Sequence, residues 1–480
     1  MRYVLSLVLA LSVTVLAQQA PDRSHPPANG PAPALHLPTL HRQNLSNGLP
    51  VWIVELHQIP VAQVNLVVLS GTTDDPAGKF GVASLTAAML DEGAGSKSSL
   101  EIADAIDYLG ADLSAASTVD DSAVRLHVPV AHLGDALSIM GDVVERPTFP
   151  KDELERKRQE RLTSILQGLD DPPTIAAVTF QRVVYGRTHR YGTPQFGTAQ
   201  TVKAFGPDDL KAFYSSAYRP DNAVLLAIGD LTPASVVPQL ERTFGSWKPP
   251  SGAKASVKLA DAPQHGARQI YLVDKPGAAQ SQIRIGWIGV PRSTPDYFPI
   301  QVMNTILGGS FSSRLNMNLR EQHRYTYGAS SQFDMRTYPG PFAAAAGVQT
   351  DKTAEALKEF FNELNGILKP VPAEELARAK NYVALRYPGT FETTSDIARR
   401  LEDAIVYHLP DGYFTSYVQN IQNVTAADVE RVAKKYINPE MHAIVVVGDR
   451  QKVEAPIKAL NLAPIKVLTI EDVFGPVPSM

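Results

Sequence analysis

The sequence predicts an α+β protein of two homologous halves in tandem, each a mainly antiparallel sheet packed with helices. Three observations carry this. Residues 208–231 (DDLKAFYSSAYRPDNAVLLAIGDL) overlay residues 427–450 (ADVERVAKKYINPEMHAIVVVGDR) at one constant offset, matching Leu210 to Val429, Pro220 to Pro439, Gly229 to Gly448 and Asp230 to Asp449. Each half opens on two apolar, β-branched runs split by a short polar stretch, at 47–71 and again at 269–289, and each pair reads as a hairpin. The runs lack the regular β–α alternation of a doubly wound sheet.

In chain order, residues 1–17 (MRYVLSLVLALSVTVLA) have a single charge at Arg2, a 14-residue mainly apolar run from Tyr3 to Leu16, and a small-residue end at Ala17. This is the pattern of a cleaved signal peptide, and the run is shorter than the roughly 20 residues a membrane span needs. The expected location is the periplasm or the exterior of a bacterium. Residues 18–40 hold six prolines and little periodicity, which predicts an extended arm. The first half covers 41–246. Within it, Ser98 and Glu101 form a capping box that opens a helix with Ile102, Ile106 and Leu109 on one face and Gly110 just past its end. Residues 122–130 alternate Val124, Leu126, Val128 and Val130, a half-buried strand. Residues 247–268 are rich in Pro, Gly, Ala and Lys and read as a linker. The second half covers 269–470, and 471–480 form a tail.

Composition narrows the function. The 480 residues carry 45 Lys+Arg against 49 Asp+Glu, a formal net charge of -4, without the basic excess of a nucleic-acid-binding protein. There is no cysteine, so disulfides and thiol nucleophiles are excluded, and any metal site would draw on the eleven histidines and the carboxylates. Halves of about 200 residues can each bury a core without disulfides. Beyond residues 1–17 no apolar run is long enough to span a membrane.

The ordered set of NGLPVWIVE, Gly81-Val82-Ala83, HRYGTPQFGT (189–198), FYSSAYRPDNAVLLAIGD and ILGGSFSSRLNMNLREQHRYTYG (306–328) resembles the pitrilysin/insulinase family of zinc peptidases, the inverzincins, over about residues 41–465. The resemblance implies two such halves forming half of a clamshell. It also implies an H-x-x-E-H helix in the first half, whose two His at i and i+4 bind zinc while the Glu activates the metal-bound water. A distant Glu completes the zinc shell.

In this sequence the matching helix reads GVASLTAAMLDEG (81–93). Ser84 and Ala88 stand at the His positions, Ala87 at the Glu position, and Ser164 at the distant ligand position. A hydroxyl and methyl groups neither hold zinc nor take a proton from water, so this chain is expected to bind no metal. Ser84 is not a replacement nucleophile, because GVASL is not G-x-S-x-G. In the second half, Arg320 and Tyr327 match an Arg and a Tyr that the family uses to bind the substrate backbone and stabilise the oxyanion, chemistry suited to a guanidinium and a phenol. Tyr325 is the runner-up for Tyr327, and Arg314 reads as structural. Gly308 and Gly309 either contact an extended peptide or cap the helix ending at Leu307.

The resemblance extends to members that divide the work between two homologous chains, such as the mitochondrial processing peptidase. It implies that this chain is the metal-free subunit, donating Arg320 and Tyr327 to a zinc-bearing homologous partner acting on peptides. The alternative reading is a periplasmic pseudopeptidase that binds peptides or serves as a scaffold without catalysis.

Overall fold

The computed structural model describes residues 37–251, 254, 258–264, 266–438, 440 and 442–476. The signal peptide, most of the Pro-rich arm and Pro439 lie outside the described residues. The first sheet takes β1 (Leu40–Asn44), β2 (Pro50–Glu55), β3 (Val61–Val68), β6 (Asp112–Ser117), β7 (Ser122–Pro129) and β8 (Ala223–Gly229), after the short ribbon of β4 (Gly93–Ala94) and β5 (Lys97–Ser98). Its strand order is β1-β2-β8-β3-β7-β6. The second sheet takes β9 (Gln269–Asp274), β10 (Gln280–Ile288), β11 (Thr326–Phe333), β12 (Pro341–Gln349), β13 (Ala443–Gly448) and β14 (Ile465–Leu468), in the order β11-β12-β10-β13-β9-β14. Only β2–β8, β9–β13 and β9–β14 are parallel.

The duplication is visible strand by strand. Pro50 and Gln269, Val61 and Gln280, Ser122 and Pro341, and the helix starts Pro207 and Ala426 are each separated by the same 219 positions. The halves differ at one edge, where β1 pairs antiparallel with β2 but β14 pairs parallel with β9.

Neither predicted hairpin forms. β8 lies between β2 and β3, parallel to one and antiparallel to the other, and β13 separates β9 from β10 in the same way. The reason is burial. Every residue of AVLLAIG in β8 is buried, so this strand belongs where both sheet faces are covered. The connection at residues 56–60 spans roughly 16 Å when extended, enough to cross the intervening strand at about 10 Å.

Local signals hold. The helix Ser99–Tyr108 starts at the Ser98–Glu101 capping box, and Gly110 adopts a left-handed φ of +62° beyond its end. β7 buries Val124, Leu126 and Val128.

Each sheet packs one face on helices of its own half. The other face is covered by a helix from the other half. Helix Pro172–Tyr185 sets Ile175, Val178, Phe180 and Val184 against Val273, Val445 and Val447 of the second sheet. Helix Thr394–Val406 sets Ile397, Leu401 and Ile405 against Val67, Leu226 and Ile228 of the first. A polar seal accompanies the second contact. The Glu402 carboxylate accepts from Arg125 Nε at 3.0 Å, Arg125 Nη2 at 2.8 Å and Asn65 Nδ2 at 2.7 Å. The chain does not trail off after β14, because helix Ile470–Phe474 buries Val473 in the same cluster as Val445. Among the described residues no helix is long and apolar enough to cross a membrane.

Candidate functional site

The helix Val82–Ala87 is short, and its position is fixed from its N-terminal end. Gly81 precedes it with φ +103°, and a Cβ there would lie 2.7 Å from Phe196 O and 2.8 Å from Gly197 N. This approach brings the FGT end of the 189–198 segment against the helix start. Below it, Asp75 accepts hydrogen bonds from the backbone N–H groups of Gly81 (2.7 Å) and Ala83 (2.8 Å). Arg190, from the same 189–198 segment, pairs with Asp75 at 2.8 Å and donates to Thr72 O at 2.6 Å and Thr193 O at 2.8 Å. Both side chains are buried. Burial pushes the Asp75 carboxyl up to about 6, while Arg190 and the two N–H groups pull it down. It is therefore ionised at neutral pH, and its charge sits at the positive end of the helix. Asp75 and Arg190 were not singled out from sequence. Their signals are the Asp-Pro at 75–76 and the Arg inside HRYGT.

Ser84 and Ala88 are partly exposed and Ala87 is fully buried. Ser164 is exposed on the long helix Lys151–Gly168, and its hydroxyl donates to Glu160 O at 3.0 Å. The side chain that reaches Ser84 from that helix is Arg161, one turn before Ser164. Its Nη2 donates to Ser84 O at 2.7 Å and to Ser84 Oγ at 3.1 Å. Its Nη1 is buried with no hydrogen-bond partner. Burial pushes the Arg161 guanidinium down to about 10, with Asp75 opposing, so it remains a cation at neutral pH. The donor set does not fit zinc. It offers one hydroxyl, methyl groups and a fixed positive charge where the metal would need imidazoles and a carboxylate. Among the described residues no group of three or more His, Asp or Glu is placed to hold a metal ion.

The second-half residues occupy a different setting. Helix Tyr297–Leu307 ends at Gly308, whose N–H and that of Gly309 both donate to Asn304 O. A Cβ on Gly308 would lie 2.3 Å from Ser331 N, so this glycine lets the helix end meet β11. Gly309 is exposed. Arg320 sits on a π-helical turn, Met317–Gln322, with its guanidinium 4.7 Å from the exposed Phe311 ring and its Nε 3.2 Å from Glu321. Arg324 then takes a left-handed φ of +60° and reverses the chain. Tyr327 lies on β11, an edge strand, at a break in register between Thr326 and Ala329. Such a bulge re-aims a side chain. Thr326 Oγ1 stabilises it by donating to Gly347 O and accepting from Gly328 N. Tyr327 is 87% exposed, and its hydroxyl bonds no described residue. Tyr325, by contrast, stacks on His323 and packs on the second core. Arg314 is held by Glu375 in a two-pronged pair at 2.8 and 2.6 Å, a structural role.

Residues 51–178 match the Insulinase (Peptidase family M16) description and residues 204–383 match the Peptidase M16 inactive domain. The chain belongs to the insulinase family. It is 24% identical over 421 residues to an uncharacterized zinc protease of Mycobacterium tuberculosis, covering 88% of this chain and 96% of that one. It superposes on the peptidase M16 inactive domain from Pseudomonas fluorescens with a TM-score of 0.79 and 27% identity, covering 85% and 98%. The periplasmic protease PqqL from Escherichia coli shares the fold at a TM-score of 0.73 and 16% identity, and the match covers 89% of this chain but 50% of that one.

Proposed function

We propose that this chain is the metal-free subunit of a zinc peptidase heterodimer, acting on peptides with a homologous zinc-bearing partner. The observation that carries the reading is the contrast between the two candidate half-sites. The zinc positions are closed by Arg161, whereas Arg320 and Tyr327 are displayed. Tyr327 is lifted from an edge strand by a bulge and has no partner within the described chain. A large amphipathic side chain held in this way suits a group completed by another molecule.

In this arrangement Arg320 binds the peptide backbone with guanidinium N–H donors. Tyr327 donates its phenol O–H to the oxyanion that forms as the peptide carbonyl becomes tetrahedral. Gly309 is exposed and leaves room for an extended backbone, while Gly308 supports the helix end. A zinc ion held by the partner would supply the activated water, and among the described residues of this chain no group of carboxylates and imidazoles is placed to hold one. The longer E. coli neighbour, twice the span of this match, supports a second comparable body completing the assembly. The 1–17 pattern and that neighbour's periplasmic location support a periplasmic assembly.

The test is co-purification with a homologue that carries H-x-x-E-H, followed by peptide turnover. Tyr327→Phe in the complex should lower turnover on the order of 10²-fold with little change in KM. Turnover equal to wild type would return Tyr327 to a surface role and favour the non-catalytic scaffold.

A further inference from the structure

A cavity of about 470 Å³ lies beside the Tyr297–Leu307 helix, between it and the helices Ala373–Arg386, Thr394–Val406 and Tyr413–Asn423. It is lined by six phenol rings, and the guanidiniums of Arg292, Arg386 and Arg400 stand among them. Arg292 lies 3.7 Å from the Tyr297 ring centroid, 5.3 Å from that of Tyr413 and 5.9 Å from that of Tyr407. Its Nη2 donates to Tyr413 Oη at 2.6 Å.

No described carboxylate forms an ion pair with Arg292. The two that line the cavity are committed elsewhere, Asp403 to Arg400 at 3.5 Å and Asp334 to Arg336. With Arg386 and Arg400 also in the lining, three guanidiniums face these two carboxylates, and Asp403 feels the Arg292 charge as well as that of Arg400, so the cavity carries a net excess of one positive charge. Beyond the N–H given to Tyr413, the stacked guanidinium keeps further N–H donors, and these suit a carboxylate. A second orphan points the same way. Tyr387, 7% exposed and stacked on Tyr417 with ring centroids 3.9 Å apart, has its hydroxyl buried without a hydrogen-bond partner. Buried hydroxyls are ordinarily paired, so this one awaits an amide or carbonyl. Phe333, Met335, Val383, Leu409 and Phe414 give the rest of the wall its apolar surface, interspersed with polar side chains such as Gln301 and Gln332, and this surface suits a flat or branched apolar body.

We propose that this cavity binds a carboxylate borne on an aromatic or branched apolar body, one to two amino-acid residues in size. Arg292 takes the carboxylate, Tyr387 takes a neighbouring polar group, and the Tyr297, Tyr413 and Tyr417 rings take the side chain. A peptide C-terminus and a free aromatic acid share this chemistry. The site stands whether or not the chain works with a zinc-bearing partner.

Isothermal titration calorimetry on the whole chain tests it with three probes: N-acetyl-Ala-Phe with a free carboxyl, the same dipeptide as its C-terminal amide, and 3-phenylpropanoate. The free acid should bind at least tenfold more tightly than the amide. Arg292→Gln should abolish that difference, and Tyr387→Phe should weaken the dipeptide several-fold. A dipeptide much tighter than 3-phenylpropanoate identifies the ligand as a peptide C-terminus; equal affinities identify a free acid. Equal binding of acid and amide by the wild-type chain, or no binding of either at millimolar concentration, overturns the proposal without reliance on any variant's folding. So does undiminished binding of the acid by folded Arg292→Gln protein.

Discussion

Restoring ligands to the first half measures what Arg161 does there. Ser84→His, Ala88→His and Ser164→Glu together return two imidazoles one helical turn apart and a carboxylate from the facing helix. Arg161 precedes Ser164 by three positions, so it shares that helix face and already contacts Ser84 at 2.7 and 3.1 Å. A zinc ion held by the introduced imidazoles would stand roughly 6 Å from the guanidinium; at an effective dielectric near 20, a dication and a unit cation at that distance repel by about 5 kcal/mol. That corresponds to roughly 10³- to 10⁴-fold in affinity. The assay is a competitive zinc titration of the triple graft with and without Arg161→Met. The graft retaining Arg161 should bind zinc at least 10³-fold more weakly. Equal affinity of the two grafts would show that Arg161 swings clear and does not close the site, refuting this electrostatic reasoning.

Three further outcomes are expected. Asp75→Ala strands two helix N–H groups and the buried Arg190 charge, so stability should fall by about 3–5 kcal/mol, read as a drop in thermal midpoint on the order of 5 °C. Removing the exposed Arg378–Glu374 pair by Arg378→Ala should shift the midpoint by less than about 2 °C. Burial pushes the Asp121 carboxyl up to about 6 from 3.8, so the folded state holds a proton that the unfolded state releases in this range; its contribution to stability should decline by about 3 kcal/mol as pH rises from 4 through 6, and Asp121→Asn should lessen the slope in denaturant titrations, leaving the part due to Asp75.

What could be read from the sequence was local or repeated. The Ser98–Glu101 capping box, the Gly110 helix end and the alternation through β7 each depend on neighbours a few residues away, and the structure places them as expected. The duplication was legible because helix, turn and buried strand recur at one spacing. Loss of the zinc ligands was legible as chemistry, since Ser84, Ala87 and Ala88 cannot be mistaken for donors. Long-range choices were not. The place of β8 between β2 and β3 depends on pairing across more than 150 residues, and periodicity cannot reveal it. Amphipathic spacing marks the apolar face of helix Thr394–Val406 but does not say that it covers the other half's sheet. Arg161 lies in KDELERKRQERL, where a charge reads as solvent-facing. The bulge at Tyr327 is set by the Thr326 hydroxyl and by Asn316, whose Oδ1 accepts from Ala329 N at 3.2 Å, contacts that exist only after folding.

In the proposed assembly, catalysis requires this chain and a zinc-bearing homologue together. Peptide turnover measured for this chain alone, for the homologue alone and for the purified pair tests it most directly. The expected result is turnover by the pair, only residual turnover by the homologue, and none by this chain. Full turnover by the homologue alone, or zinc-dependent turnover by this chain alone, would contradict it.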